Sequence, residues 1–397
     1  MHVTRRIAYI YHSFYPYTRD GGPNVSCRLI VEALAERGLR IRIVTSHGEP
    51  TYALTDCQVA RGREYFARRG IEIDYVGTSN RMDPRLPIAT WRRSHGYVLH
   101  LNEVWSLTLL VGATRLLRGG AGRVVISPRG MLQDGSLRSR RARAKQLSLR
   151  LTWPMLTRAY WHVTSLEERA ALESRGVGPE RIFTIPHPVP MGPDPPHGTS
   201  RSGFLYLGRI AKVKGLDLLL EGYERALAHD PGLDDLTLAG AEENSSFSEL
   251  AAGCSPQALG KIHYLGEVLG ERKATLLSTS RALVNTSYSE NFGMSIAEAL
   301  ERGTPAIACE GSPWQVLNSL ACGSYGERSA ERIASTLLDF QQRCSTELTE
   351  MGHRGRAWIG QHLAPRVVAD QYARMYAIVG NDHLSEPARS SVSERGS

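Results

Sequence analysis

The chain has 397 residues, of which 48 are lysine or arginine and 40 are aspartate or glutamate, giving a net charge of +8. A single hydrophobic core stops growing below this length, so two domains are expected. Residues 1–200 include 29 basic and 16 acidic residues, whereas residues 201–397 include 19 basic and 24 acidic residues. This asymmetry predicts that the first domain meets a phosphate-bearing acceptor or a membrane surface. Nucleic acid is disfavoured, because no helix-turn-helix, zinc-finger or stacking-aromatic motif accompanies the basic residues.

The six cysteines are widely spaced and form neither a C-x-x-C pair nor a cluster with histidine, which favours a reducing compartment. The apolar stretch that follows Arg6 is too short for the core of a signal peptide. No window approaches the length of a membrane span. These features predict a cytoplasmic protein, and contact of its basic half with the inner face of a membrane is left open.

Short strand-like runs alternate with helical runs along the chain, which is the pattern of parallel sheets covered by helices. In the first half, strands are predicted at 7–11, 41–45, 71–76, 97–101, 124–127, 160–164 and 182–185. The stretch 191–198 is rich in proline and glycine and is typical of a linker. In the second half, strands are predicted at 204–208, 236–239, 262–265, 282–285 and 306–308.

The pattern therefore predicts an α/β protein of two Rossmann-like domains with a cleft between them. The predicted divisions are a first domain at 1–190, a linker at 191–202, a second domain at 203–364, a last helix at 365–382 and a tail at 383–397. The tail is rich in Ser, Arg, Glu and Pro, which predicts disorder.

Two segments of the first half are candidates for ligand contact. Gly21 and Gly22 follow the first strand, where glycine lets the backbone approach a ligand, and Asn24 is predicted to cap the next helix. Arg129 follows the strand at 124–127, where a cation facing the cleft could meet an anionic group. The basic stretch 138–153 predicts an amphipathic helix, for which a solvated surface and an anionic membrane are equally open.

In the second half, Arg209 and Lys214 lie in the loop between a strand that ends at Gly208 and a helix that starts near Leu216. A guanidinium and an ammonium at the carboxyl edge of a sheet suit a diphosphate, each charged hydrogen bond contributing about 1.5 to 3 kcal/mol. More often, basic residues in such a loop are simply exposed to solvent. The diphosphate is favoured here because the next segment indicates the same ligand.

Glu290 and Glu298 lie eight residues apart, the first in the turn after a predicted strand and the second on the next helix. Open α/β sheets bind ligands outside the carboxyl ends of their strands. The free amides of Phe292, Gly293 and Met294 at the helix N-terminus favour an anion. A carboxylate beside an anion needs a donor, such as a sugar or ribose hydroxyl. Ordinary acidic residues at a helix start are the alternative.

These segments resemble glycosyltransferase family 4, whose members are retaining enzymes of the GT-B fold. Residues 208–215 resemble the family's G-R-x-x-x-x-K-G segment, and 289–300 resemble its E-x7-E motif. The E-x7-E spacing alone would be weak. Asn291-Phe292-Gly293 inside it and Gly-Thr-Pro-Ala-Ile-Ala at 303–308 after it favour the family.

The resemblance implies roles for single residues. Arg209 and Lys214 clamp the diphosphate and stabilise its departure. Glu298 takes the ribose hydroxyls, while Glu290 and the amides of 291–294 hold the transferred sugar. The implied donor-binding residues are Gly21, Gly22, Gly208, Arg209, Lys214, Gly240, Leu265, Glu290, Asn291, Phe292, Gly293, Met294 and Glu298.

The strand at 97–101 departs from the family, in which many members carry H-x-H-G there. The second histidine is replaced by Asn102, which cannot act as a general base. A front-face route, in which the leaving diphosphate takes the acceptor proton, gives Asn102 an orienting role, and Glu103 is the nearest ionisable substitute. The implied acceptor-binding residues are His100, Asn102, Glu103 and Arg129; the implied catalytic residues are Arg209, Lys214, Glu290, Asn102 and Glu103.

The sequence therefore predicts a retaining glycosyltransferase that uses a UDP- or GDP-sugar and a hydroxyl acceptor: a glycan, a lipid-linked sugar or a small metabolite. Polysaccharide or glycoconjugate synthesis is the expected setting. No Asp-x-Asp pair lies at a strand end, so no metal is expected, and the nucleotide sugar is a co-substrate rather than a cofactor. A GT-B nucleotide-sugar epimerase and a non-catalytic nucleotide-sugar-binding partner remain alternatives.

Overall fold

A computed structural model describes residues 6–16, 22–49, 52–78, 83–118, 123–132, 152–194 and 201–381. The chain divides into two compact units. The first takes the described residues up to Val163, the segment Glu167–Ile185 and the residues from Ala369 onward. The second takes Thr164–Leu166 and Pro186–Val368. The last helix therefore starts in the second unit and ends in the first.

The first unit is built on a seven-stranded sheet in the order β5-β2-β1-β6-β7-β8-β9, in which all neighbours are parallel. A separate two-stranded antiparallel hairpin, β3–β4, accompanies it. The strands are β1 (Arg6–Tyr11), β2 (Arg40–Thr45), β3 (Gly48–Glu49), β4 (Tyr52–Ala53), β5 (Glu72–Tyr75), β6 (Val98–Asn102), β7 (Val124–Ser127), β8 (Tyr160–Val163) and β9 (Ile182–Thr184).

Helices connect these strands as the parallel order requires. They are α1 (Gly22–Glu36), α2 (Asp56–Ala67), α3 (Arg85–Arg93), α4 (Thr108–Leu117) and α5 (Leu166–Glu173). The strands β6 and β7 are buried along their whole length, and most of their residues are accordingly apolar. Because strand ends meet at one edge of a parallel sheet, the residues after β1, β6 and β7 are brought together there.

The second unit has a six-stranded parallel sheet in the order β12-β11-β10-β13-β14-β15. Its strands are β10 (Phe204–Leu207), β11 (Leu236–Ala239), β12 (Ile262–Tyr264), β13 (Ala282–Asn285), β14 (Ala306–Cys309) and β15 (Gly323–Gly326). Its helices are α6 (Leu216–His229), α7 (Phe247–Ala251), α8 (Pro256–Leu259), α9 (Gly270–Thr279), α10 (Met294–Glu301), α11 (Val316–Ser319), α12 (Ala330–Gln342) and α13 (Ser345–His362). The chain then continues into α14 (Pro365–Asn381).

The predicted α/β architecture with two Rossmann-like parallel sheets is confirmed. The structure adds the edge strand β15, whose Gly-Ser-Tyr-Gly sequence carries no β-branched signal. It also corrects one prediction, because α1 begins at Gly22 and Asn24 lies inside the helix rather than at its cap. Across the described ranges, no helix has the length and apolar character needed to cross a membrane.

Candidate functional site

The N-terminus of α10 is shaped by a glycine. Gly293 has a φ of +79°, in the left-handed region, and a Cβ atom there would lie 2.8 Å from Nε1 of Trp314. The indole of Trp314 is fixed because Nε1 donates to the carbonyl oxygen of Phe292 at 2.5 Å. No side chain in the described ranges caps this helix. The first amides of α10 therefore offer an anion site at the carboxyl end of β13.

Lys214 and Glu290 form an ion pair next to this helix end. The Nζ atom lies 2.6 Å from Oε2 of Glu290, and the side chains are 17% and 15% exposed. The hydroxyl of Ser287 donates to the same oxygen at 3.2 Å. The pair is thus largely desolvated, so a charge introduced beside it interacts more strongly than at an open surface.

The turn that carries Lys214 is pinned to the end of β13. It is a 3-10 turn, Lys212–Lys214, closed by Gly215 at a φ of +63°. The hydroxyl of Thr286 donates to the carbonyl oxygen of Gly215 at 2.8 Å, and a Cβ atom at Gly215 would lie 2.2 Å from the carbonyl oxygen of Thr286. This close approach requires glycine and brings the lysine next to the turn that holds Glu290.

Glu298 has a lysine partner of its own. Nζ of Lys273, on α9, lies 2.6 Å from Oε2 of Glu298, with side-chain exposures of 29% and 18%. Lys273 could not be predicted from the sequence, because it belongs to no motif and its distance from Glu298 depends on the packing of two helices. Met294, Ser295 and Glu298 form the half-buried face of α10, while its other side is in the core.

Arg209 is in a different situation from Lys214. It pairs with Glu243 through exposed side chains, 58% and 46% accessible. Exposed pairs of this kind contribute at most about 1 kcal/mol, so the guanidinium can exchange its partner. The backbone of Arg209 is held by the hydroxyl of Tyr206, which donates to its carbonyl oxygen at 2.7 Å. The structure does not bring Arg209 into contact with the Lys214–Glu290 pair.

Glycines keep the ends of β10 and β11 free of side chains. The amide of Gly208 donates to Ala239 at 2.9 Å, and the amide of Gly240 donates to Gly266 at 2.8 Å. Gly240 has a φ of +153°, and a Cβ atom there would lie 1.8 Å from the carbonyl oxygen of Gly208. Leu265, half-buried, continues this edge after β12. The predicted Gly208, Gly240 and Leu265 are therefore neighbours along one edge of the sheet.

Two further predicted donor residues lie in the turn before α10. The side-chain Nδ2 of Asn291 donates to the hydroxyl of Thr164 at 2.8 Å, and Thr164 belongs to the same unit. Phe292 is buried and packs edge-on against Trp314.

In the first unit, Gly22 is the first residue of α1, whereas Gly21 and the basic stretch 138–150 lie outside the described residues.

In the first unit, Asn102 holds Arg129. Its Oδ1 accepts from Nε of Arg129 at 3.0 Å and from Nη2 at 2.7 Å, and its Nδ2 donates to the carbonyl of Ile10 at 3.1 Å. Asn102 is 4% exposed, and both Oδ1 and Nδ2 of its side chain bond to these protein groups. The structure therefore places Asn102 behind Arg129, and any orienting effect on an acceptor would act through the arginine.

Arg129 is a cation without a carboxylate partner in the described structure. Nη2 donates to the hydroxyl of Tyr9 at 3.1 Å, and Nη1 is buried without a hydrogen-bond partner among the described residues. Its φ of +50° is uncommon for a side chain other than glycine. Buried charges are normally paired, so an unneutralised guanidinium in a strained turn is a candidate anion-binding group.

Glu103 follows Asn102 at the end of β6 and is also strained. Its φ is +124°, and its amide donates to the carbonyl of Ser127 at 3.0 Å. The side chain is 4% exposed. A conformation this costly, of order 1–3 kcal/mol, persists only where the surrounding structure enforces it, and such residues cluster at functional sites.

His100 lies in the core and not at the acceptor side. Its Nδ1 shares a hydrogen bond with the hydroxyl of Tyr376 at 2.5 Å, and its Nε2 shares one with the hydroxyl of Ser127 at 2.7 Å. The network continues from Ser127 to His162, which also contacts the hydroxyl of Tyr372. With both ring nitrogens engaged and no exposed surface, His100 has no atom available to an acceptor, which argues against its predicted role.

This network predicts a pH dependence of stability in the first unit. Burial lowers the pKa of His162 to about 3 and that of His100 well below its usual value. As the pH falls, these histidines take up protons in the unfolded chain before they do so in the folded chain. The free energy of unfolding therefore falls as the pH drops from about 6.5 towards 3. The decrease is up to about 1.4 kcal/mol per pH unit for each histidine. Urea unfolding of wild type and His162→Asn from pH 7 to pH 4 measures this. An equal pH slope in both proteins would contradict the assignment.

Part of the second unit is similar in sequence to a known family. Residues 195–335 match the family described as Glycosyl transferases group 1. A D-inositol 3-phosphate glycosyltransferase from Geodermatophilus obscurus is 30% identical over 165 residues, which are 36% of this chain and 36% of the relative. The D-rhamnosyltransferase WbpZ from Pseudomonas aeruginosa is 34% identical over 110 residues, 27% of this chain and 26% of the relative. The match thus spans about a third or less of these two proteins.

Solved structures resemble the chain over nearly its whole length. Anabaena Alr3699/HepE, crystallised with UDP and glucose, aligns with a TM-score of 0.67 at 15% identity, covering 93% of this chain and 98% of that one. At this identity the likeness concerns the fold alone. The chain has the GT-B fold, and residues 195–335 are similar in sequence to the glycosyl transferases group 1 family.

Proposed function

We propose that this protein is a retaining, metal-independent glycosyltransferase of family 4 that transfers a sugar from a nucleotide diphosphate to a hydroxyl acceptor. One observation carries the proposal. In the second unit, Glu290 and Glu298 lie on either side of the uncapped N-terminus of α10, and each carboxylate is paired with a lysine at 2.6 Å. This arrangement offers cations and amides to a diphosphate and carboxylates to the hydroxyls of the same ligand.

The Lys214–Glu290 pair suggests how the donor is received. Lys214 and Glu290 neutralise each other in a partly desolvated place. A diphosphate would offer Lys214 a doubly charged partner and release Glu290 to accept from a sugar hydroxyl. Lys214, Arg209 and the amides of α10 would then stabilise the negative charge that develops as the diphosphate leaves.

In the proposed reaction, the bond between the anomeric carbon and the diphosphate oxygen breaks, and the acceptor oxygen bonds to the same face of that carbon. The acceptor proton passes to the leaving diphosphate, so no separate base is required. A UDP- or GDP-sugar is the proposed donor, and the complex of HepE with UDP and glucose is consistent with a uridine nucleotide. No divalent ion takes part in this scheme.

The acceptor is proposed to carry a negative group as well as its hydroxyl. Arg129 supplies a guanidinium with no carboxylate partner at the carboxyl edge of the first sheet, and Asn102 and Tyr9 hold it in place. The name of the Geodermatophilus relative, which includes D-inositol 3-phosphate, agrees with a phosphate-bearing acceptor. Polysaccharide or glycoconjugate synthesis, and membrane contact through the basic half, remain parts of the proposal.

Incubation of the full chain with a panel of UDP-, GDP- and ADP-sugars in excess chelator tests this function. With water as the acceptor, we expect one donor class to release nucleoside diphosphate and free sugar. The anomeric configuration of that sugar, read by NMR before mutarotation, should match that of the donor. Full loss of activity in chelator, restored by manganese or magnesium, would contradict metal independence. Conversion of the donor sugar without transfer would indicate the epimerase, and binding without turnover would indicate a non-catalytic partner.

Glu103→Gln tests whether the leaving diphosphate is the base. We expect this variant to keep a substantial fraction of its kcat, because the proposed proton acceptor is on the donor. A positioned general base contributes about 10²–10⁴-fold, so a loss of that size with unchanged donor binding would instead identify Glu103 as the base. Glu173→Gln, an exposed carboxylate of the same unit, is the control.

A further inference from the structure

The pairing of Lys273 with Glu298 connects two helices on the ligand side of the second sheet. Lys273 is the fourth residue of α9, and Glu298 is the fifth residue of α10. Nζ contacts Oε2 of the carboxylate, whereas Oε1 makes no hydrogen bond to any residue that the structure describes. One oxygen is thus fixed and the other is available to a ligand.

The helix context restricts the carboxylate further. Ala297 and Ala299 on either side of Glu298 are fully buried, so the backbone of this turn is fixed in the core. Glu298 lies one turn after Met294, on the same face as the uncapped end of α10. A nucleoside diphosphate whose phosphates occupy that end would present its ribose within reach of this face.

We infer that Lys273 is a positioning residue for nucleotide recognition: it holds Oε2 of Glu298 so that Oε1 accepts a hydrogen bond from a ribose hydroxyl of the donor. The inference rests on the proposed function, since it requires a nucleotide in the second unit. The ammonium restricts the rotamer of Glu298 before the ligand arrives, and it offsets the repulsion between the carboxylate and the diphosphate. Lys273 itself touches no reacting atom.

The inference predicts a specific coupling between this lysine and the ribose. A hydrogen bond from a hydroxyl to a charged acceptor contributes enough for about a 10- to 100-fold difference in affinity. The wild type should therefore bind UDP or GDP, whichever it prefers, about 10- to 100-fold more tightly than the 2′-deoxy or the 3′-deoxy analogue. In Lys273→Met, the affinity for the ribonucleotide should fall towards the affinity for that deoxy analogue.

Calorimetric titration of the full chain with the preferred diphosphate and its two deoxy analogues tests the inference. The variants are Lys273→Met, Glu298→Gln and the control Lys261→Met, whose side chain is equally exposed at 29% and which pairs with Asp235 in the same unit. We expect Lys273→Met and Glu298→Gln to reduce the ratio of deoxy to ribo dissociation constants towards one. Lys261→Met should keep the wild-type ratio.

The possible outcomes separate the inference from the proposed function. A wild-type protein that binds no nucleoside diphosphate would overturn both. Lys273→Met could keep the wild-type ratio of deoxy to ribo dissociation constants while Glu298→Gln lowers that ratio to about one. This result would be consistent with the proposed function but would reject the role of Lys273. An equal weakening of ribo and deoxy ligands in Lys273→Met would show a structural role only, and it would also reject the inference.

Discussion

Replacement of Lys214 by alanine is expected to lower kcat by about 10²–10³-fold, with the fold retained. Removal of a single preorganised group that stabilises transition-state charge has this size in other enzymes. The effect should fall on kcat more than on donor KM, because the charge on the departing diphosphate grows in the transition state. Lys214→Ala also removes the cation that pairs with Glu290. The unpaired carboxylate would then repel the phosphates, which lowers activity further.

Lys212→Ala is the matched control for this variant. Lys212 belongs to the same 3-10 turn but is exposed, and no ion pair to a described residue involves it. Steady-state kinetics of both variants, with circular dichroism to establish folding, decides the question. A folded Lys214→Ala enzyme with wild-type kcat, or an equal loss in Lys212→Ala, would remove Lys214 from the diphosphate site.

Replacement of Gly240 by alanine is expected to destabilise the second unit by about 3 kcal/mol or more. The new Cβ atom would lie 1.8 Å from the carbonyl oxygen of Gly208, and the φ of +153° is unfavourable for any side chain. Overpacking of this kind and backbone strain each contribute about 1–3 kcal/mol. A change of this size lowers the melting temperature by roughly 6–12 °C in a unit of this length. Donor KM should rise too, since Gly208 would be displaced.

Gly266→Ala provides the comparison. Gly266 has a φ of +65°, but no atom lies within 4 Å of the position that its Cβ would take. Only the left-handed backbone cost of about 1–2 kcal/mol remains. Thermal unfolding followed by circular dichroism, together with donor KM, measures both variants. Equal melting temperatures for Gly240→Ala and Gly266→Ala would show that the contact between the ends of β10 and β11 is not as tight as described.

The fold could be predicted because both sheets are parallel. Most of their central strands are buried on both faces, so they appear as short apolar runs followed by glycine or a polar residue, as at Gly208 after β10. The strand β15 lacked this signal. The start of α1 was wrong for a related reason: Gly22 and Pro23 have low helix propensity, whereas Asn24 is a good cap, so local preferences placed the boundary too late.

The site could be predicted only where it follows a strand directly. Glu290 and Lys214 were recognised because each lies in a loop after a strand, and their mutual contact confirms that these two loops meet. Lys273 lies in the middle of a helix, where lysine is common, and only the packing of α9 against α10 shows its partner. The sequence likewise could not show that Asn102 binds Arg129 or that both nitrogens of His100 are occupied, because these contacts join distant segments.

Titration of the full chain with UDP-, GDP- and ADP-sugars in excess chelator tests the central claim most directly, because it measures donor binding without knowledge of the acceptor. We predict saturable binding of one donor class at a single site, competition by the corresponding nucleoside diphosphate and a large loss of affinity in the double variant Lys214→Ala/Glu298→Gln. Absence of binding for every donor, binding that requires a divalent ion, or undiminished affinity in the double variant would contradict a metal-independent nucleotide-sugar site in the second unit.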